Sequence, residues 1–401
     1  MGVTLNTNKT NNCNEMKNYS KTSGRIVIEI DPELKQKLYD ALANDGGNLK
    51  EWFVKKASHY AYEQEENKQH IEVPQLVNSF ISNRNQTGIH KHTVVSLFSG
   101  CGGLDLGFKG GFEIFGKEYA KNNLEIIWAN DLNKTACNTY FKNIGEEIHC
   151  GDIWELIDTL PNSADVVIGG FPCQDISING KRAGANGTRS GLYKAMVESI
   201  ERLNPKVFVA ENVKGLLMKY NESSLKQVLN DFKQLGYNIS LELYNAANYG
   251  VPQTRERVFI VGTRKDVRQF VPPKATNSAA NWMSAKEAIG DLEKEPKNLN
   301  NNHVWSLANI SGEQGNRCLK SDRPGYTIRA ECHGNIQFHY SEPRRISMRE
   351  AARFQTFPDN FVFDGGLRET ERQVGNAVPP VLGWHIAQSV LSCLQEKQPS
   401  N

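Results

Sequence analysis

Val94-Val95-Ser96-Leu97-Phe98-Ser99-Gly100-Cys101-Gly102-Gly103-Leu104 is an apolar run that breaks into three glycines and then into a helical pattern. A strand, a glycine-rich turn and a helix start, in that order, form the opening unit of an α/β sheet that binds a nucleotide-like cofactor at its strand ends. Alone the signal is weak, because glycines after a first strand serve many cofactors. Two acids downstream sharpen it. Asp131 follows the second apolar run, where a carboxylate can bind ribose hydroxyls. Asp152, in Gly151-Asp152-Ile153, sits at a third turn, where it can accept from an adenine amino group. Either aspartate taken singly is also a plain helix cap. No GKS or GKT follows the glycines, which weighs against an NTPase.

Outward from this unit, β-type runs near residues 94–98, 125–129, 165–168, 207–210 and 258–261 alternate with amphipathic helical patterns. That alternation predicts an α/β fold with a largely parallel sheet over residues 93–264. Residues 265–343 change character, with Pro272-Pro273, Asn-rich loops and few regular periods; helix patterns return over 344–395. Upstream, residues 1–22 are polar and predict disorder, and residues 69–92 read as a linker. Between them, residues 23–68 predict a strand with Ile26, Ile28 and Ile30 on one face, a helix opened by Asp31-Pro32, a Gly46-Gly47 turn and a second helix. This small β-α-α module resembles a ribbon-helix-helix unit, in which two chains pair their strands and lay the ribbon in the DNA major groove. Its outward residues are Arg25, Val27 and Glu29, a poor set for reading phosphates or bases, so a dimerisation or packing extension outweighs sequence-specific DNA binding.

The chain has 401 residues, 39% of them hydrophobic, enough for one large domain and one or two smaller ones. A net charge of +2 is too near neutral to announce nucleic-acid binding, so any such surface is local. No signal pattern opens the sequence, and no apolar run suggests a membrane span. Eight cysteines (Cys13, Cys101, Cys137, Cys150, Cys173, Cys318, Cys332 and Cys393) show no CxxC pair or zinc-like cluster, so no metal is expected. That is cytosolic usage, with one cysteine open to catalysis and the others packing. It predicts a soluble, intracellular protein.

The apolar run Asp165-Val166-Val167-Ile168 ends in Gly169-Gly170 and delivers Phe171-Pro172-Cys173-Gln174 to a polar, Gly-containing loop. A cysteine placed there suits a nucleophile better than a packing thiol. Phe98-Ser99-Gly100-Cys101-Gly102-Gly103, Pro172-Cys173-Gln174, Glu211-Asn212-Val213, Gln253-Thr254-Arg255-Glu256-Arg257 and Gln373-Val374-Gly375-Asn376 follow one another in the order of the DNA (cytosine-5) methyltransferase motifs. The chain therefore resembles that family, in its bacterial restriction–modification form, over residues 93–264 and 344–391.

The resemblance implies a Rossmann-like S-adenosylmethionine-dependent methyltransferase domain, a smaller target recognition domain at 265–343, and S-adenosyl-L-methionine as cofactor. A loop for that sulfonium amino acid needs no phosphate-gripping lysine. Cys173 becomes the nucleophile toward cytosine C6, and Glu211 the group that hydrogen-bonds N3 and the exocyclic amine. Arg255 is expected to reach the base carbonyl or its phosphate, and Arg257 to brace Glu211 and the cysteine loop. Phe98, Gly100, Cys101, Gly102, Gly103, Leu104, Asp131, Asp152, Ile153, Pro172, Leu192, Asn376 and Ala377 are the expected cofactor positions. Gln174, Ser177, Lys181, Arg182, Arg189, Gln253, Thr327, Ile328 and Arg329 are the expected DNA contacts, with Arg317, Arg323 and His333 as further candidates to read guanine edges or phosphates. The implied partners are double-stranded DNA, at the nucleoid of a prokaryotic cytoplasm, and a restriction endonuclease encoded nearby, without a stable complex; residues 23–68 are expected to pair two chains in a homodimer or to repress the protein's own operon. Two rivals stand beside this. A tRNA cytosine-5 methyltransferase of the same fold characteristically carries a Cys-Phe-Thr tripeptide, which is missing here. A catalytically silent DNA-binding regulator would not need Cys173, Glu211, Arg255 and Arg257 together.

Overall fold

A computed structural model describes residues 91–171, 191–306, 317–330 and 337–395. The chain divides after Gly88. The expected tail, the β-α-α module and most of the linker lie outside the described residues, as do Pro172, Cys173, Gln174, Ser177, Lys181, Arg182, Arg189 and His333.

The first unit forms as predicted: strand β1 (His92–Leu97), the glycine turn, then helix α1 (Gly103–Lys109). A hairpin, β2 (Phe112–Ile114) and β3 (Lys117–Tyr119), leads to β4 (Leu124–Asp131), α2 (Lys134–Asn143), β5 (Ile148–Cys150) and α3 (Ile153–Leu156). Then come β6 (Val166–Gly170), α4 (Leu192–Leu203), β7 (Val207–Val213), α5 (Glu222–Gln234), β8 (Asn238–Asn245), β9 (Gln253–Thr254) and β10 (Glu256–Thr263). The remainder supplies α6 (Ala285–Ile289), β11 (Gly325–Tyr326), α7 (Met348–Phe354), α8 (Leu367–Asn376) and α9 (Pro380–Leu394).

Seven strands make one sheet in the order β5-β4-β1-β6-β7-β10-β8. The first five are parallel, while β10 runs antiparallel to both β7 and β8. The chain leaves β1 toward β4 on one side and later returns to β6 on the other. A crevice opens at such a switch point beyond the strands' carboxyl ends. Both sheet faces are covered, which explains the near-continuous apolar strands. Val94, Val166, Ile168, Val207 and Val209 face α1 and α9, whereas Val95, Val167, Phe208 and Ala210 face α4 and α5. Each fully buried aliphatic or aromatic side chain contributes roughly 1.5–3 kcal/mol.

Helix α9 lays Val381, Leu382, Ile386 and Val390 into the core that α1 shares. By length and composition alone, Leu367–Leu394 would pass for a membrane span, contrary to the sequence reading, but 67% of that window is buried within the protein. Capping boxes start α6 (Ser284 with Glu287) and α7 (Ser347 with Glu350). The described parts of 265–343 are mostly irregular and tie to the main body through Tyr249 Oη donating to Pro273 O (3.0 Å) and Arg353 donating to Ala288 O (3.2 Å).

Candidate active site

The glycine turn is built by left-handed backbone. Phe98 (φ 55°), Gly100 (φ 58°) and Gly102 (φ 90°) all have positive φ, so β1 is reversed sharply into α1. Asp131, at the end of β4, holds the turn. Its Oδ2 accepts from Gly100 N (2.8 Å) and its Oδ1 from Asn133 N (2.8 Å). Burial pushes this carboxyl up, and the two backbone N–H groups oppose that shift. Each oxygen keeps a second acceptor site for a hydroxyl. Asp152 accepts from Trp154 N (2.9 Å) as the N-cap of α3, and its exposed carboxylate stays open to solvent.

Leu132, beside Asp131, is 71% exposed, and sequence reasoning missed it. The signal was available, since an apolar residue directly after a strand-end acid has no core to enter. Leu192 opens α4 half-buried, Asn376 ends α8 exposed, and Ala377 is half-buried. Cys101, Leu104 and Ile153 turn their side chains into the core, so only their backbone is available to a ligand. Gly103 lies directly under the 377–378 turn: a Cβ there would sit 2.4 Å from Val378 O. Lysine-free glycines, two strand-end carboxylates and an exposed aliphatic side chain suit an adenosyl ligand that carries no phosphate.

Glu211 lies on β7 opposite Gly170, the last residue of β6. A Cβ at Gly170 would stand 2.9 Å from Glu211 Oε2, so the missing side chain makes room for the carboxylate. Asn212 Nδ2 donates to Phe171 O (2.9 Å), which fixes the chain two residues before Cys173. Arg257 enters from β10 and brings Nε to 2.8 Å from Glu211 Oε1. The distance makes an ion pair, but the N–H is not aimed at the oxygen, and Oε1 has no hydrogen-bond partner among the described residues. Both residues are under 10% exposed. Burial raises the Glu211 carboxyl above its usual range, against the pull of Arg257 and then Arg255. Burial lowers Arg257, and Glu211 opposes that. The outcome is a buried acid with a raised proton affinity, ion-paired to Arg257 without an aligned hydrogen bond, opposite Gly170 at the end of β6.

Arg255 departs from expectation. Its terminal nitrogens donate to Ile328 O (2.8 Å), Gly375 O (2.9 Å) and Ala377 O (2.9 Å), Nε has no hydrogen-bond partner among the described residues, and full burial keeps the guanidinium from a base or phosphate. Gln253 is corrected likewise. It is fully buried, donates to Phe354 O (2.9 Å) and Gln355 Oε1 (3.0 Å), and accepts from Ile328 N (2.7 Å), so DNA cannot reach it. Ile328 is 1% exposed, and Thr327 Oγ1 donates to Thr254 O (2.8 Å). Arg329 is exposed. The free thiols among the described residues do not all pack: Cys101, Cys137 and Cys393 are buried, but Cys150 is exposed. No group of metal-ligating side chains occurs among the described residues. A cavity of about 850 Å³, lined by residues including Phe112, Phe115, Arg353 and Phe361, involves none of the site residues.

Glycine turn, strand-end acids and covered mixed sheet together define a Rossmann-like S-adenosylmethionine-dependent methyltransferase. Solved structures share this fold: the Entamoeba histolytica methyltransferase EhMeth (16% identity, TM-score 0.56, covering 76% of this chain and 99% of that one) and S. pombe Dnmt2 methyltransferase (17%, 0.55, 75% and 98%). The family model for C-5 cytosine-specific DNA methylase matches residues 92–321 and 309–392. Similar relatives include the Type II methyltransferases M.NgoFVII of Neisseria gonorrhoeae and M.FnuDI of Fusobacterium nucleatum. The first is 37% identical over 353 residues, covering 79% of this chain and 90% of the relative; the second is 35% identical over 342 residues, covering 76% and 96%. The chain belongs to the C-5 cytosine-specific DNA methylase family, and its cofactor is S-adenosyl-L-methionine.

Proposed function

We propose that the protein methylates C5 of one cytosine in a specific double-stranded DNA sequence through a covalent adduct between Cys173 and C6 of a flipped-out base. The observation that carries this is Glu211, buried, raised in proton affinity and ion-paired with Arg257, on β7 opposite Gly170, the last residue of the strand from which the cysteine loop departs. A protonated Glu211 can donate to N3 while its other oxygen accepts from the exocyclic amine. As the Cys173 thiolate bonds to C6, the C5–C6 π electrons shift toward C5 and N3, the proton from Glu211 neutralises N3, and C5 becomes nucleophilic. The bound cofactor supplies an electrophilic sulfonium methyl. Loss of the C5 proton to a base, return of the N3 proton to Glu211 and expulsion of the thiolate restore the ring. A free thiol titrates near roughly 8.5, so the site must favour the thiolate. Extruding the base costs a few kcal/mol, which stacking, edge hydrogen bonds and phosphate contacts offset. Leu132, Asp131 and Asp152 hold the adenosine part of the cofactor, and Asn376 its methionine end.

The trap is duplex DNA synthesised with 5-fluorocytosine in place of cytosine. Fluorine at C5 cannot leave as a proton, so the chain should remain bound through Cys173 in an SDS-resistant complex that needs S-adenosylmethionine. Cys173→Ser should form none. A complex that persists in Cys173→Ser refutes the assignment of the nucleophile.

The setting we propose is host protection in a restriction–modification system in a prokaryotic cytoplasm, beside an endonuclease that forms no stable complex with this chain. Residues 23–68 pair two chains. Sedimentation of the full chain against a form lacking residues 1–88 tests this: equal monomer mass for both would discard the dimer.

A further inference from the structure

Arg255 spends its guanidinium on two segments far apart in sequence. One bond goes to Ile328 O in the segment that bears Thr327 and Arg329; two go to Gly375 O in the last turn of α8 and to Ala377 O just after it. The same segments are joined again beside it. Gln253 accepts from Ile328 N and donates to Gln355 Oε1, and Gln355 Nε2 donates to Val374 O (2.6 Å). Their backbones also touch, since a Cβ at Gly375 would lie 2.3 Å from Arg329 C. On its other side the 375–378 turn rests on the cofactor loop: Val378 O stands 2.4 Å from where a Gly103 Cβ would be, and Cys101 Sγ donates to Gln373 O (3.7 Å). One contiguous set of contacts thus runs from the glycine turn to residues 327–330.

We propose that Arg255 is a positioning residue that couples cofactor binding to DNA binding. Occupancy of the glycine turn fixes the 375–378 turn. Through the Arg255 fork, that turn sets the place of residues 327–330, and through them the presentation of Arg329. A planar, permanently charged fork suits this role because it bonds carbonyls of both segments at once, which an ammonium on a flexible stem does not reproduce. A role confined to stability would weaken both ligands alike and leave their mutual effect unchanged. Coupling is reciprocal by linkage, so either ligand reports it. The inference rests on the proposed function and on Arg329, the exposed residue of this segment, facing DNA.

The test is calorimetric titration of S-adenosylhomocysteine into the full chain, with and without saturating sheared genomic DNA from a host free of cytosine methylation. DNA should tighten the cofactor product about fivefold or more in the unaltered protein, within the usual range of allosteric coupling. Arg255→Lys should bind S-adenosylhomocysteine alone within about threefold of the unaltered affinity, yet gain less than about twofold from DNA. Gln355→Met removes only the neighbouring amide bonds and should lose part of the gain; it decides the matter if Arg255→Lys does not fold. A variant that binds S-adenosylhomocysteine and keeps the full gain overturns the coupling. So does an unaltered protein that methylates this DNA yet shows no gain. If the DNA is neither bound nor methylated, the proposed function fails and the coupling with it.

Discussion

Gly170→Ala tests whether the position of the Glu211 carboxylate limits the reaction. The new Cβ would stand 2.9 Å from Glu211 Oε2, about 0.5 Å inside the nearest ordinary contact. Gly170 is not among the residues with positive φ, so alanine meets no backbone strain. Its gain in unfolded-state entropy, about 0.5–1 kcal/mol, offsets much of the steric cost and leaves stability nearly unchanged. The carboxylate has little room to retreat, because Arg257 Nε is 2.8 Å from Oε1. A misplacement of 1 Å costs about 10²-fold in rate, so a shift of half that size should cost on the order of tenfold. Single-turnover transfer of labelled methyl groups to unmethylated duplex DNA, beside calorimetric binding of S-adenosylhomocysteine, separates chemistry from cofactor affinity. The expected result is a methyl-transfer step slowed about tenfold with cofactor affinity within twofold. A folded variant with an unaltered methyl-transfer rate would refute the proposed role of Glu211.

Asp105 lies buried in α1, accepts from Tyr140 Oη (2.9 Å) and is pushed by burial up to about 6. A folded-state value above the unfolded one gives stability that is complete below about pH 4 and lost as pH rises through 6. Asp105→Asn should therefore gain on the order of 2–3 kcal/mol relative to the unaltered protein between pH 4 and 7 in urea unfolding, and a constant difference across that range would count against it. Arg344 holds the wholly buried Glu350 through two bonds (2.8 and 2.7 Å), so Arg344→Met should cost about 3–5 kcal/mol by the same assay. A loss under about 1 kcal/mol would mean the pair is solvated in solution.

The strands near β1, β6, β7 and β10 were legible because two-sided burial leaves unbroken apolar runs. Strand β8 was passed over although Ile239, Leu241 and Leu243 alternate with Asn238, Ser240 and Glu242, the pattern of a half-buried edge strand. The direction of β10 was hidden, because burial on both faces looks alike in parallel and antiparallel strands. Glu211 was readable as a strand-end acid. The error over Arg255 has a definite cause. Residues two apart share a face only along a continuous strand, and Arg255 falls at the break between β9 and β10, where its N–H turns back to Gln253 O (2.9 Å). Arg257 therefore meets Glu211 while Arg255 points into the junction with Ile328, Gly375 and Ala377. Contacts between segments over 70 residues apart leave no local trace in a single sequence.

Bisulfite sequencing of DNA from a methylation-free host that expresses the full chain, with Cys173→Ala alongside, reaches reaction, nucleophile and specificity at once. Methylcytosine confined to one short recurrent sequence, and missing with Cys173→Ala, is the predicted result. Unmethylated DNA from a host whose expressed protein binds S-adenosylhomocysteine would contradict it, as would methylation that survives the loss of Cys173.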